Sequence, residues 1–155
     1  MTDPVEKDGN ADPAGTTVVQ LRLLQIGVVL FLLGLMTGLA TGALKNPRMG
    51  LSAHLEGVMN GVFLLALGAA WGHIRLGPVQ EKIVLWSLAF GTTVNWMTTL
   101  LAAVWGTGKL TPIAGAGFAA SEWQELVVSM GLIAVAIWML IGGALVAFGF
   151  CRRRV

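Results

Sequence analysis

Charge is what this chain has least of. Of its 155 residues 12% are charged and 55% hydrophobic, where an ordinary soluble domain carries about a quarter charged residues. That balance excludes a water-soluble globular domain. Tyrosine is absent, cysteine occurs once (Cys151), and the histidines are two, His54 and His73. A single cysteine excludes an intrachain disulfide and any multi-cysteine metal site. No Gly-rich phosphate loop opens a helix after a strand, no Cys/His cluster has zinc spacing, and no GxSxG elbow occurs. Ser52 and Ser121 lack a separate histidine placed to activate them.

What the chain has is apolar sequence in long runs. Crossing ~30 Å of hydrocarbon takes about 20 largely apolar residues, and four such runs can be read, near Val19–Leu39, Ala53–Ile74, Ile83–Trp105 and Leu126–Phe150. The expected fold is therefore all-α, a four-transmembrane-helix bundle over residues 18–151. Residues 1–17, with Asp3, Glu6, Asp8, Asp12, Pro4 and Pro13, read as an acidic disordered tail, and 152–155 as a basic end. Lys7, Arg22, Arg75, Lys82, Arg152, Arg153 and Arg154 fall on one side of this topology and Lys45, Arg48 and Lys109 on the other. By the positive-inside rule both termini are cytoplasmic. The arginine cluster then faces anionic lipid, and no nucleic-acid partner is expected. Trp71, Trp86, Trp105 and Trp123 fall near proposed span ends, where amphipathic rings favour the interface. Small residues recur at helical spacing (Gly34-Gly38-Gly42, Gly57-Gly61, Gly68-Gly72), the pattern that lets helix backbones approach closely. Lys45–Gly50 reads as a loop, and Gly106–Ser121 as a longer one able to fold over the outer face.

Polar groups inside the spans carry the functional signal, because lipid is a poor solvent for them. His54, Glu56 and Asn60 lie in the second run, NPRMGLSAHLEGVMNG. Histidine ligates metals and haem iron; a lone interfacial histidine can equally be structural. His73, nineteen residues along the same helix, is roughly 30 Å away at helical rise. The two cannot share one site within a subunit. Glu56 and Asn60 are spaced i,i+4 and share a face. Thr92, Asn95 and Thr99 form a second polar stripe in the third run. Threonine can bond back to its own helix, so Asn95 is the informative member. A direct Asn60–Asn95 bond between helices is the bland reading. Glu122 and Glu125 follow Ser121 and read as the acidic first turn of a helix as readily as a catalytic pair.

These residues also carry a resemblance. NPRMGLSAHLEGVMNGVFLLALG, NWMTTLLAAVWG and SEWQE resemble the bacterial hydroxylaminobenzene mutases over about Leu21 to Phe148. The pattern AH-x5-NG at Ala53, His54, Asn60 and Gly61 is similar, more distantly, to the styrene oxide isomerases. The first family converts an aryl hydroxylamine to an ortho-aminophenol without net redox change. The second opens aryl epoxides with haem b as a Lewis acid, held between subunits of a trimer. The resemblance implies an isomerase of the bacterial cytoplasmic (inner) membrane, a homo-oligomer with a trimer favoured, and haem b ligated by His54. It implies Asn60 and Asn95 as pocket residues orienting a small aryl hydroxylamine. Departures from the epoxide isomerases point to a different substrate: Thr99 stands where they carry tyrosine, Gly91 where they carry aspartate, and Glu56 where they carry glycine.

In that reading a carboxylate handles protons, with Glu56 favoured over Glu122 or Glu125. Phe63, Trp96, Met97 and Trp123 would wall the pocket against water. Two alternatives stay open: a haem-dependent aryl epoxide isomerase, and a non-catalytic membrane subunit. Turnover of a hydroxylamine separates the first reading from both.

Overall fold

The structure, a computed structural model, describes residues 17–152. The acidic tail expected at 1–17 lies outside the described residues except for Thr17, and the basic end at 152–155 except for Arg152. Every described element is helical: α1 (Val18–Ala40), α2 (Pro47–Ala70), α3 (Pro78–Trp105), a short α4 (Pro112–Gly115) and α5 (Glu122–Cys151). Single 3-10 turns, Thr41–Ala43 and Trp71–His73, extend α1 and α2.

α1 starts within one residue of its apolar run, whereas α2, α3 and α5 start four to six residues ahead of theirs, because capping groups and an N-terminal proline or acidic turn begin them. Asn46 shows why. Its side-chain oxygen accepts from Met49 N at 3.2 Å, and Pro47 sits at the first helical position. Only Lys45 and Asn46 of the expected first loop are therefore loop; Pro47–Gly50 are the first turn of α2. Asn46 is fully buried, and its side chain also donates to Ala114 O at 2.8 Å. Lys45 donates to Trp105 O and Ala119 O, and Arg48 to Ala116 O. These bonds strap the 106–121 connection onto the end of the helices.

Three helical segments are long and apolar enough to cross a membrane: Val18–Ala43, Pro47–His73 and Glu122–Cys151. The fourth expected span, α3, is 28 residues long. It carries Gln80, Glu81 and Lys82 at its start and Thr92, Thr93, Asn95, Thr98 and Thr99 along it, so it is less apolar than the other three. The arrangement is also more open than a closed bundle. α1 packs on α2, α2 on α3, and α3 on α5, with a lesser α1–α3 contact. α5 makes its substantial contacts with α3 alone, and exposes Leu126, Met130, Ile133, Ile137, Leu140 and Phe148.

Glycines set the α1–α2 approach. A Cβ at Gly34 would come within 2.5 Å of Val58 N and 2.7 Å of Gly57 C, whereas one at Gly42 would meet nothing within 4 Å. Backbone cannot yield as a side chain can. Gly34→Val is expected to destabilise the fold by about 1–3 kcal/mol or more, and Gly42→Val to leave folding unchanged. Unfolding midpoints in a denaturing-detergent titration check both.

Two apolar clusters sit at opposite ends of the helices. Val19, Leu23, Leu64, Leu67, Trp71, Ile74, Val84 and Leu88 form one, and Met49, Ala102, Ala103 and Val128 the other. Trp71, expected at the lipid interface, is only 3% exposed, because its 3-10 turn folds the ring into the first cluster. The middle of α2 and α3 lies between the clusters. There the polar residues gather.

Candidate active site

α2 carries its two candidate functional groups on different flanks. Residues two apart on a helix are about 200° apart around its axis, so His54 and Glu56 diverge. His54 turns to α1 and Glu56 to α3. The apolar face between those directions, with Leu55, Met59 and Val62, is exposed.

On the α1 flank, His54 Nδ1 lies 2.8 Å from Gly34 O. A carbonyl only accepts, so Nδ1 carries the proton and donates it. In the neutral ring Nε2 then keeps its lone pair, the arrangement in which an imidazole is oriented as a metal ligand. The ring packs over Gly38, where a Cβ would come within 2.6 Å of Nδ1. Beside it is an open groove of about 500 Å³ lined by Leu35, Gly38, Leu39, Thr41 and Leu51. An imidazole nitrogen left free beside an apolar groove is a donor and lining that would suit haem iron. Among the described residues no group of three or more His, Cys, Asp or Glu could hold a metal ion, so a bare-metal centre has no ligand set there.

On the α3 flank, Glu56 Oε2 accepts from Asn95 Nδ2 and, at 3.4 Å, from Asn60 Nδ2. Asn60 Nδ2 also donates to Thr92 O at 3.3 Å. The asparagines therefore do not bond each other; the carboxylate bridges them. All three side chains are half-buried. α2 and α5 both pack on α3 without packing substantially on one another. Thr92 and Thr99 bond back to Leu88 O and Asn95 O, as threonine in a helix can.

The expected pocket walls are dispersed in the single chain. Trp96 donates from Nε1 to Thr37 Oγ1 at 3.1 Å and is held where α1, α2 and α3 meet. Phe63 lies seven residues after Glu56, on the same flank, and is exposed. Met97, two residues past Asn95, is exposed on the far side of α3. Trp123 is exposed near the start of α5, edge-on to Trp105 at 5.1 Å between ring centroids. Glu125 has a structural part: its carboxylate accepts from Gly108 N at 2.9 Å and Lys109 N at 3.0 Å. Glu122 is exposed beside it. Gly34 and Thr37, which hold His54 and Trp96, escape a reading of the sequence, since a backbone carbonyl and a common threonine carry no signature there.

Comparison with known proteins bears on this arrangement. The family profile described as styrene oxide isomerase matches residues 19–151. The chain belongs to that family. Within it, the chain is 44% identical over 138 residues to a protein named hydroxylaminobenzene mutase HabB from Ectopseudomonas oleovorans, covering 88% of this chain and 84% of that one. It is 38% identical over 135 residues to hydroxylaminobenzene mutase HabA of the same organism, covering 86% of this chain and all of that one. The resemblance read from the helix motifs is borne out. No solved structure matches. The family match spans α1 to α5 and so includes both flanks of α2.

Proposed function

We propose that this protein is a membrane-bound isomerase that converts hydroxylaminobenzene-type aryl hydroxylamines to ortho-aminophenols. The observation that carries the reading is Glu56, a carboxylate clasped by Asn60 and Asn95 between two apolar clusters, in a chain similar to proteins named hydroxylaminobenzene mutases. The reaction breaks N–O, forms C–O at the ortho carbon, removes the ring proton there and returns a proton to nitrogen. Atoms and electrons balance within the substrate. Protons alone must be moved, which is work for a positioned carboxylate. Glu56 accepts and returns them, and the two asparagines hold its geometry.

His54 is the residue that would hold a haem b, which when bound would supply Lewis-acid chemistry to weaken the N–O bond. His54 and Glu56 face different ways around α2, so one chain cannot bring both to one substrate. A homo-oligomer can, with His54 from one subunit and Glu56 from the next across the exposed face of α2; a trimer is favoured by the family resemblance. We place the protein in the bacterial cytoplasmic membrane with four crossings, α3 serving as the shielded, more polar span. Both termini are then cytoplasmic, as the seven-to-three distribution of Lys and Arg favours.

The test is direct. Protein purified in detergent is incubated with phenylhydroxylamine and the products are separated by chromatography. Accumulation of 2-aminophenol above the protein-free rate is expected. Its absence, with haem bound, would favour the non-catalytic membrane subunit. Conversion of styrene oxide in its place would favour the epoxide isomerase.

A further inference from the structure

We infer that Glu56, clasped by Asn60 and Asn95, makes the site selective for substrates that donate hydrogen bonds. The inference deepens the mutase reading above and rests on it for the identity of the ligand. It follows from the donors and acceptors left over once the internal bonds are made.

Both amide contacts converge on a single carboxylate oxygen, Oε2. Oε1 takes no part in either contact. A carboxylate only accepts, so the groups turned toward it must be the NH₂ ends of both asparagines. The two N–H groups of Asn60 are then engaged, one by Glu56 Oε2 and one by Thr92 O. Glu56 Oε1, Asn60 Oδ1 and Asn95 Oδ1 remain as acceptors, against one N–H of Asn95 as donor. The cluster is acceptor-rich.

An aryl hydroxylamine meets that cluster with an N–H and an O–H. An aryl epoxide, or any aryl ligand whose heteroatoms only accept, brings lone pairs against lone pairs. A site built to receive a donor rejects an analogue lacking one more strongly than an apolar pocket rejects a change of size, because its own polar groups are left unpaired. Glutamine at position 56 reverses the pattern. The asparagine amides would hold its carbonyl oxygen in the place of Oε2, and its NH₂ would occupy the place of Oε1 as a donor.

Binding tests this separately from turnover. The probes are 2,6-dimethylphenylhydroxylamine, whose blocked ortho positions prevent the rearrangement, and its N,O-dimethyl derivative, which has no donor. Dissociation constants are read from quenching of tryptophan fluorescence in the full-length protein with its native cofactor content. For the native protein we expect the donor probe to bind about 100-fold tighter, and for Glu56→Gln the preference to fall to about threefold or to invert. The N,O-methyl groups are present in both comparisons, so a purely steric penalty survives the substitution and a donor preference does not. The native protein needs no variant to fail the test: equal binding of the two probes overturns the inference, as does binding of neither. An unchanged preference in Glu56→Gln overturns it too. Donor preference without formation of 2-aminophenol from phenylhydroxylamine would leave the inference standing and reject the mutase reading. Formation of 2-aminophenol without donor preference would do the reverse.

Discussion

His54→Ala is expected to yield a folded protein without haem and with hydroxylamine turnover reduced to background. The fold survives because α1 and α2 are joined by backbone approach at Gly34, Gly57 and Gly61; the substitution removes one hydrogen bond, from Nδ1 to Gly34 O. The proposed haem ligand does not survive. Nε2 is the nitrogen the Gly34 contact leaves available, and the groove beside it supplies apolar surface but no second ligand. The measurement is Soret absorbance per protein in detergent, with the unfolding midpoint as control. His73→Ala is the matched comparison, since His73 sits in the exposed turn after α2 and should leave both absorbance and turnover unchanged. Adding imidazole to His54→Ala should restore part of the absorbance, because the small ligand can enter the space the side chain vacates. Full absorbance in His54→Ala would mean that another residue ligates the iron.

His54 could be found in the sequence because an imidazole in an apolar run stands out. What fixes its tautomer could not, because Gly34 contributes a carbonyl oxygen that every residue has. The glycine stripe divides the same way. Equal spacing made Gly34, Gly38 and Gly42 look equivalent, yet Gly34 meets the α2 backbone, Gly38 meets the His54 ring, and Gly42 meets nothing. Spacing states which residues share a face; the neighbour decides what the face does. The existence of four long helices was legible from hydropathy. The start of α5 was too, in Ser121 and the acidic turn after it; the starts of α2 and α3 were not, because Asn46 and Gly77 begin helices with groups that read as loop. The peripheral place of α5 was equally hidden, since its apolar surface looks the same facing lipid, a second subunit or a core. Glu56 and Asn60 were legible as an i,i+4 pair. Their partner across the helix boundary was not legible: the two asparagines could as readily bond one another, and a carboxylate with free lone pairs is the stronger acceptor for both.

Glu56→Gln is expected to lower kcat on phenylhydroxylamine by about 10²–10⁴-fold, the usual worth of a positioned acid–base group, while haem absorbance stays at the native level. The two readouts separate because His54 and Glu56 lie on different flanks of α2, so a change at one need not disturb the other. Glutamine keeps the size of the side chain and its contact with the asparagine amides, so the loss reports proton handling and not collapse of the hydrogen-bonded cluster. Asn95→Leu supplies the graded comparison. It removes a donor to Oε2 and leaves the carboxylate in place, so Glu56 can still move protons from a poorer position. A loss of up to about 100-fold is the scale of such misplacement, and Glu56→Asp should recover more activity than Glu56→Gln. That order, glutamine worst, then leucine at Asn95, then aspartate at Glu56, separates a proton-handling carboxylate from one that only braces α2 against α3. If it only braces, glutamine should be the mildest of the three changes, since it preserves volume and hydrogen bonding, and kcat should follow the unfolding midpoint through the series.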